Sequence, residues 1–278
     1  SVSFFRNQPR LVAGALVCVV VSLTVTGWAI MQQYSCSALL RDLDMEDASA
    51  ERTLRRAHRK SPQDPRPPFL LSRRHASEIG DPGGGLVAHQ RAIQWGRMAI
   101  RRNPTRATYH HHLAILHADP PRPRTDRDLQ LAERHYELAV QMDPAFPDWT
   151  HDLARFHLHR GDFDKADRFY GRLLRIEPDL TPEVARELVR AGTSLGHIQK
   201  LLPDVADAYL ALARELRRAD RSDAAAELAR SACDLADSPK ARSEALIEMV
   251  RTGLGQEAIQ KLRSWMTGSP VNPLYVET

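Results

Sequence analysis

One register recurs along this chain and limits its possible folds more than any other feature. A small residue is followed by positions +4 and +7 and by a proline at +12. It reads Ala50, Leu54, Ala57, Pro62, then Ala92, Gly96, Ala99, Pro104. It returns as Ala132, Tyr136, Ala139, Pro144 and as Ala166, Tyr170, Leu173, Pro178. Successive prolines stand 42, 40 and 34 residues apart. Positions i, i+4 and i+7 share one face of an α-helix, and small residues there let a second helix approach closely. Proline ends a helix and is tolerated at the start of the next, where its missing N–H costs nothing. Each unit therefore reads as a helix pair too small to bury its own apolar stripe, and stacking of consecutive pairs buries it. Ala225, Ala229 and Ala232 keep the small-residue spacing, but Pro239 falls two residues late.

Periods of this length and pattern resemble the tetratricopeptide repeat (TPR). The best copy spans 147–180, with Leu153-Ala154 on the first helix, Gly161 at the turn, then Ala166, Tyr170, Leu173 and the closing Pro178. The copy ending at Pro144 has Leu113-Ala114 on its first helix and an inter-helix loop enlarged over 119–124. The copy ending at Pro104 is enlarged over 79–85. In the first copy the first helix falls in the stretch before Ala50. Residues 181–202, with Gly192 and Gly196, read as a divergent pair; 206–237 and about 240–266 read as weaker ones. The resemblance implies an all-α fold, an α-solenoid of TPR-like helix pairs over 34–266, with a C-terminal tail at 267–278. Abundant Ala, Leu and Arg and only 6% aromatic residues favour helices over sheets.

Ahead of the repeats, the 21 residues of 11–31 carry no charge. A helix of that length covers about 31 Å, enough for a hydrocarbon core. It reads as a single transmembrane helix at 11–31 behind an N-terminal flank at 1–10. Trp28 and Tyr34 stand near its far end, where amphipathic rings favour the interface. Arg6 and Arg10 precede the segment, and Asp42, Asp44, Glu46 and Asp47 follow it. The positive-inside rule then puts the N-terminus in the cytoplasm and the repeats outside, on the periplasmic face of a bacterial inner membrane. A cleaved signal peptide has a shorter apolar core. The first residue is Ser1 rather than Met, so the sequence is expected to be processed or part of something longer.

The net charge of +4 is uneven: +2 over 1–33, +6 over 34–130 and −4 over 131–278. Within 51–74, Arg52, Arg55, Arg56, Arg59, Lys60, Arg66, Arg73 and Arg74 face only Glu51 and Asp64. Contact with an anionic lipid or glycan is the functional reading, a solvated helix surface the plainer one. Phe69 is the only aromatic among them, and nucleic acid is not expected as a partner.

No catalytic motif of the nucleophile-elbow, P-loop or zincin type occurs, and no cofactor is implied. Cys18, Cys36 and Cys233 have no paired spacing. His110, His111 and His112 are consecutive, so their side chains point about 100° apart and cannot converge on one ion; no metal site is expected. In TPR arrays the first helix of each pair lines the concave face. Carried over by register, that resemblance places His111, Asp148, His151, Arg155, His159, Arg214, Arg217 and Arg218 in a groove for a protein or peptide partner. Arg donors there suit an extended peptide or an acidic terminus. The expected function is a membrane-anchored TPR scaffold without catalysis of its own. The alternative is the C-terminal TPR region of a polytopic O-antigen ligase or polymerase-type glycan transferase, whose catalytic part lies elsewhere.

Overall fold

A computed structural model describes residues 9–41, 43–45, 47, 49–80 and 84–268; for 9–18, 29, 33 and 268 only the backbone is described. The described residues form helices joined by turns and contain no strand. Two compact units result, Ser1–Asp143 and Pro144–Thr278.

The first unit holds α1 (Pro9–Arg41), α2 (Ala50–Lys60), α3 (Arg66–Ser77), α4 (Gly85–Arg102), α5 (Ala107–Ala118) and α6 (Asp126–Met142). The closest pairs are α3 with α4 and α5 with α6. The second unit holds α7 (Pro147–His159), α8 (Phe163–Ile176), α9 (Thr181–Arg190), α10 (Leu195–Leu201), α11 (Ala206–Arg218), α12 (Ser222–Leu235), α13 (Pro239–Arg251) and α14 (Gly255–Gly268). There α7 pairs with α8 and α11 with α12, while α11 also packs on α9 and α13. Residues 181–202 form two short helices, α9 and α10, but α10 packs more on α8 than on α9, its partner in the expected pair. Gly192 supplies the positive φ (+74°) of the turn between α9 and α10. Gly161 does the same between α7 and α8 at φ +75°.

The recurring register is the buried seam. Ala50, Leu54 and Ala57, then Ala92 and Ala99, then Ala132 and Ala139, then Ala166, Tyr170 and Leu173 are shielded from solvent, as are Ala225, Ala229 and Ala232. Gly96 shows why the residues must be small. A methyl added there would stand 2.6 Å from Leu113 Cδ2 of α5 and 3.1 Å from Ser72 Oγ of α3. Burying each such stripe contributes about 25 cal/mol per Å² of apolar surface removed from water.

The prolines act differently from the expectation. Each stands three or four residues ahead of the next α-helix, not in its first turn. What recurs is the residue before: Ser61, Asn103, Asp143 and Glu177 adopt φ −131, −141, −140 and −136° with ψ 79, 85, 75 and 80°. Clash with the proline ring excludes the helical region at that position, so each helix stops there. Each of these residues still donates its N–H to the carbonyl four residues back, at 2.8–3.1 Å. The enlarged loop before α6 closes with a capping box: Thr125 Oγ1 accepts from the Asp128 N–H and Asp128 accepts from the Thr125 N–H. Arg122 clamps Asp128 with two bonds of 2.8 and 2.9 Å. These bonds, Arg122 first, hold the Asp128 carboxyl well below its usual range.

The start of the chain corrects one reading. The first copy has no separate first helix, because α1 continues unbroken through Arg41 and its last turns pack on α2. Cys36 near that end is fully buried. Its thiol donates to Asp64 Oδ2 at 3.4 Å, and burial, then Asp64, pushes it up to about 11. Arg66 joins the same cluster, reaching both Asp64 and Ser37 Oγ. Among the described residues no helix is long and apolar enough to cross a membrane. The span expected at 11–31 is thus not met among them, and the side chains of its first eight residues lie outside them.

Candidate partner-binding face

The first helices of the second unit, α7, α9, α11 and α13, are linked by a ladder of charges. Each helix reaches a basic side chain to a carboxylate on the next. His151 of α7 donates from Nε2 to Glu187 Oε2 of α9 at 3.0 Å, and Arg155 Nε lies 3.3 Å from Glu187 Oε1. Arg186 of α9 meets Glu215 of α11 at 3.4 Å. Arg214 and Arg217 of α11 meet Glu244 and Glu248 of α13 at 2.9 and 2.8 Å. The paired residues are 29–36 apart in sequence, one repeat length, so stacking alone brings them together.

Glu187 is the most heavily engaged rung. It also accepts from the Tyr170 hydroxyl at 2.8 Å. Burial would raise its pKa, but the His151 and Tyr170 hydrogen bonds outweigh burial and hold it below the usual glutamate value. Burial likewise pulls His151 down, and the Glu187 bond and charge reverse this, leaving it above its ordinary value. Burial, then Glu187, drives the Tyr170 hydroxyl strongly upward, so it stays a donor.

His151, Glu183 and Glu187 present ligand atoms within 4.8 Å of one another. That spacing could hold a divalent ion. Glu187 is already engaged by His151, Tyr170 and Arg155, however, and the Arg155 guanidinium beside it opposes a second cation. Elsewhere the consecutive histidines diverge as their spacing requires. His110 Nδ1 lies 3.0 Å from His135 Nδ1, His111 meets the Tyr136 ring edge-on at 5.7 Å, and His112 lies 2.9 Å from Ser72 Oγ.

Of the eight residues expected in the groove, two pairs converge, each on one carboxylate. His151 and Arg155 meet at Glu187, and Arg214 and Arg217 at Glu248. Arg218 folds back on Glu215 of its own helix. Asp148 and His159 are exposed near the two ends of α7. His111 is half-buried on α5 of the first unit. The acidic partners Glu187, Glu215, Glu244 and Glu248 were not singled out from sequence. The available signal was a base on one first helix and an acid on the next, one period away.

Among the arginines of 51–74, Arg55 pairs with Glu51 and lies over the Trp95 ring at 5.6 Å. Arg74 pairs with Glu78 and donates to the Met45 carbonyl. Part of that basic run therefore serves the fold.

Residues 125–192 match the tetratricopeptide repeat family. No curated protein sequence matches the chain. Among solved structures, the chain is similar to pilF of Pseudomonas aeruginosa at 16% identity, covering 80% of this chain and 98% of that one, TM-score 0.45. It is similar to PilW, a type IV pilus biogenesis factor, at 15% identity, covering 78% and 98%, TM-score 0.46. It is similar to a thermophilic TPR protein of Thermus thermophilus at 17% identity, covering 73% and 90%, TM-score 0.38. Residues 125–192 thus match the tetratricopeptide repeat family, and helices paired over small-residue seams also occur on both sides of that segment.

Proposed function

We propose that this chain is a protein-interaction module, tethered at a bacterial inner membrane, whose partner docks on the first-helix face of the second unit. The observation that carries the reading is the ladder itself. It presents basic and acidic groups in fixed alternation, with Arg155 and Arg218 still 46% and 62% exposed while held by neighbouring carboxylates. Pre-oriented guanidinium groups suit a partner bearing carboxylates, since little side-chain freedom remains to be lost on binding. Exposed Asp148 and His159 extend the face at both ends of α7.

The tether rests on sequence. The uncharged run 11–31 and the basic residues ahead of it support a span with the repeats on the periplasmic side. The O-antigen ligase or polymerase alternative draws support only from its sequence resemblance. The exposed arginines of 51–74 remain a candidate contact for anionic lipid.

Capture with the chain as bait tests the interaction. A retained protein partner should be lost when Arg155→Glu and Arg218→Glu are combined, with helicity unchanged. Equal capture by the double variant would sink the assignment to this face. Added protease should digest the repeats in spheroplasts; protection would place them in the cytoplasm.

A further inference from the structure

The first unit contains an open cleft of about 360 Å³ between α4, the end of α5 and the start of α6, within the size range of small-ligand sites. At its wall stands His117, 3% exposed, with neither ring nitrogen hydrogen-bonded. Buried imidazoles ordinarily find a partner on at least one nitrogen. His89 beside it is also buried, but donates from Nε2 to the Leu116 carbonyl at 2.7 Å. His135 stacks on His117, with ring planes 2° apart.

The charges around the cleft are basic. Arg97 of α4 and Arg127 of α6 are exposed, line it, and hold no carboxylate among the described residues. Asp128 also lines it, but its charge is taken by Arg122 and the Thr125 cap. Arg97 lies close enough to depress both His117 and His135, after burial itself. A cation is therefore disfavoured where an anion is welcomed. The apolar part of the lining is Leu86, Ile93 and Leu131, which has nothing for the outer oxygens of a hydrated phosphate but matches methylene groups.

We propose that this cleft binds a carboxylate carried on a short aliphatic stem, gripped by Arg97 and Arg127 with His117 as the buried hydrogen-bonding partner. The stem lies on Leu86, Ile93 and Leu131. The site is on other helices and in the other unit from the first-helix face, and stands whether or not a protein docks there.

Glutarate tests the proposal on the full chain, followed through the imidazole C–H resonances of the histidines. His117 should shift saturably, and its titration midpoint should rise from about 4 as the anion settles beside it. Arg97→Gln with Arg127→Gln should weaken binding about tenfold or more, with the circular dichroism spectrum unchanged because both side chains are exposed. Inorganic phosphate serves as the second arm. Saturation by phosphate but not glutarate overturns the carboxylate assignment. No saturable shift at His117, or a shift that survives in the double variant, overturns the site.

Discussion

Arg217 of α11 donates from Nε to Glu248 Oε1 of α13 at 2.8 Å, and Glu248 has no solvent exposure at all. A carboxylate without water must be held by charge or hydrogen bonds. Arg251 at 3.6 Å and Arg214 at 3.8 Å approach its other oxygen without making a hydrogen bond. Arg217→Ala should therefore destabilise the protein by about 1–3 kcal/mol, since the two weaker neighbours remain. Replacing Arg217 and Glu248 together by Met should recover most of the loss. Urea unfolding followed by circular dichroism checks both, and a neutral Arg217→Ala would show that Arg214 and Arg251 suffice.

The small-residue seam makes a second prediction. Gly96→Ala places a methyl 2.6 Å from Cδ2 and 3.3 Å from Cγ of the fully buried Leu113, so that side chain must shift within the core. Overpacking of this kind costs about 1–3 kcal/mol, against the gain alanine ordinarily brings to a helix. Gly96→Ala should lower Tm, and trimming Leu113→Val in the same chain should restore part of it. A rise in Tm for the single variant would mean that the seam is looser than the structure shows.

The buried histidines of the first unit make it acid-sensitive. Burial, above all, lowers His112, His117 and His135 to about 4. Their unfolded value is about 6.5, so the unfolded chain takes up protons first as pH falls. Stability should drop between about pH 6.5 and 4, by up to about 3 kcal/mol per histidine and less for the interacting pair His117 and His135. Melting curves across that range check this, with His117→Phe expected to shrink the drop.

His151 has the opposite sign. Its folded pKa is raised and that of Glu187 is lowered. The histidine's contribution is present below about pH 6.5 and fades as pH rises through its folded value. That of Glu187 is present above about pH 4.5 and fades as pH falls. The pair should support the second unit best in between. The Tm difference between the protein and its His151→Gln variant should narrow from about pH 6 to about pH 9. A constant difference would assign His151 a packing role alone.

Much of the fold was legible because the seam is local. Ala132, Tyr136 and Ala139 sit on one helix face whatever surrounds them, and they are buried as that spacing requires. The divergence of His110, His111 and His112 follows from the same rotation per residue. The groove residues were less legible. Arg214 and Arg217 are on the first helix as expected, yet each is tied to an acid 30 or 31 residues on. No periodicity within one repeat reveals that pairing. The cleft around His117 was not legible for the same reason: His89, Arg97, His117 and Arg127 come from three helices, and no spacing within one helix brings them together.

The order of residues along the chain was enough to settle that it forms helix pairs, where the four helices ahead of Pro62, Pro104, Pro144 and Pro178 stop, and which stripe is hidden. Those outcomes depend on rotation per residue, on proline sterics and on side-chain size, all properties of neighbours in sequence. Which arginine meets which glutamate, and which histidine is buried without a partner, was decided by packing between helices. Such contacts join positions tens of residues apart, and their energies exist only once the helices are in place.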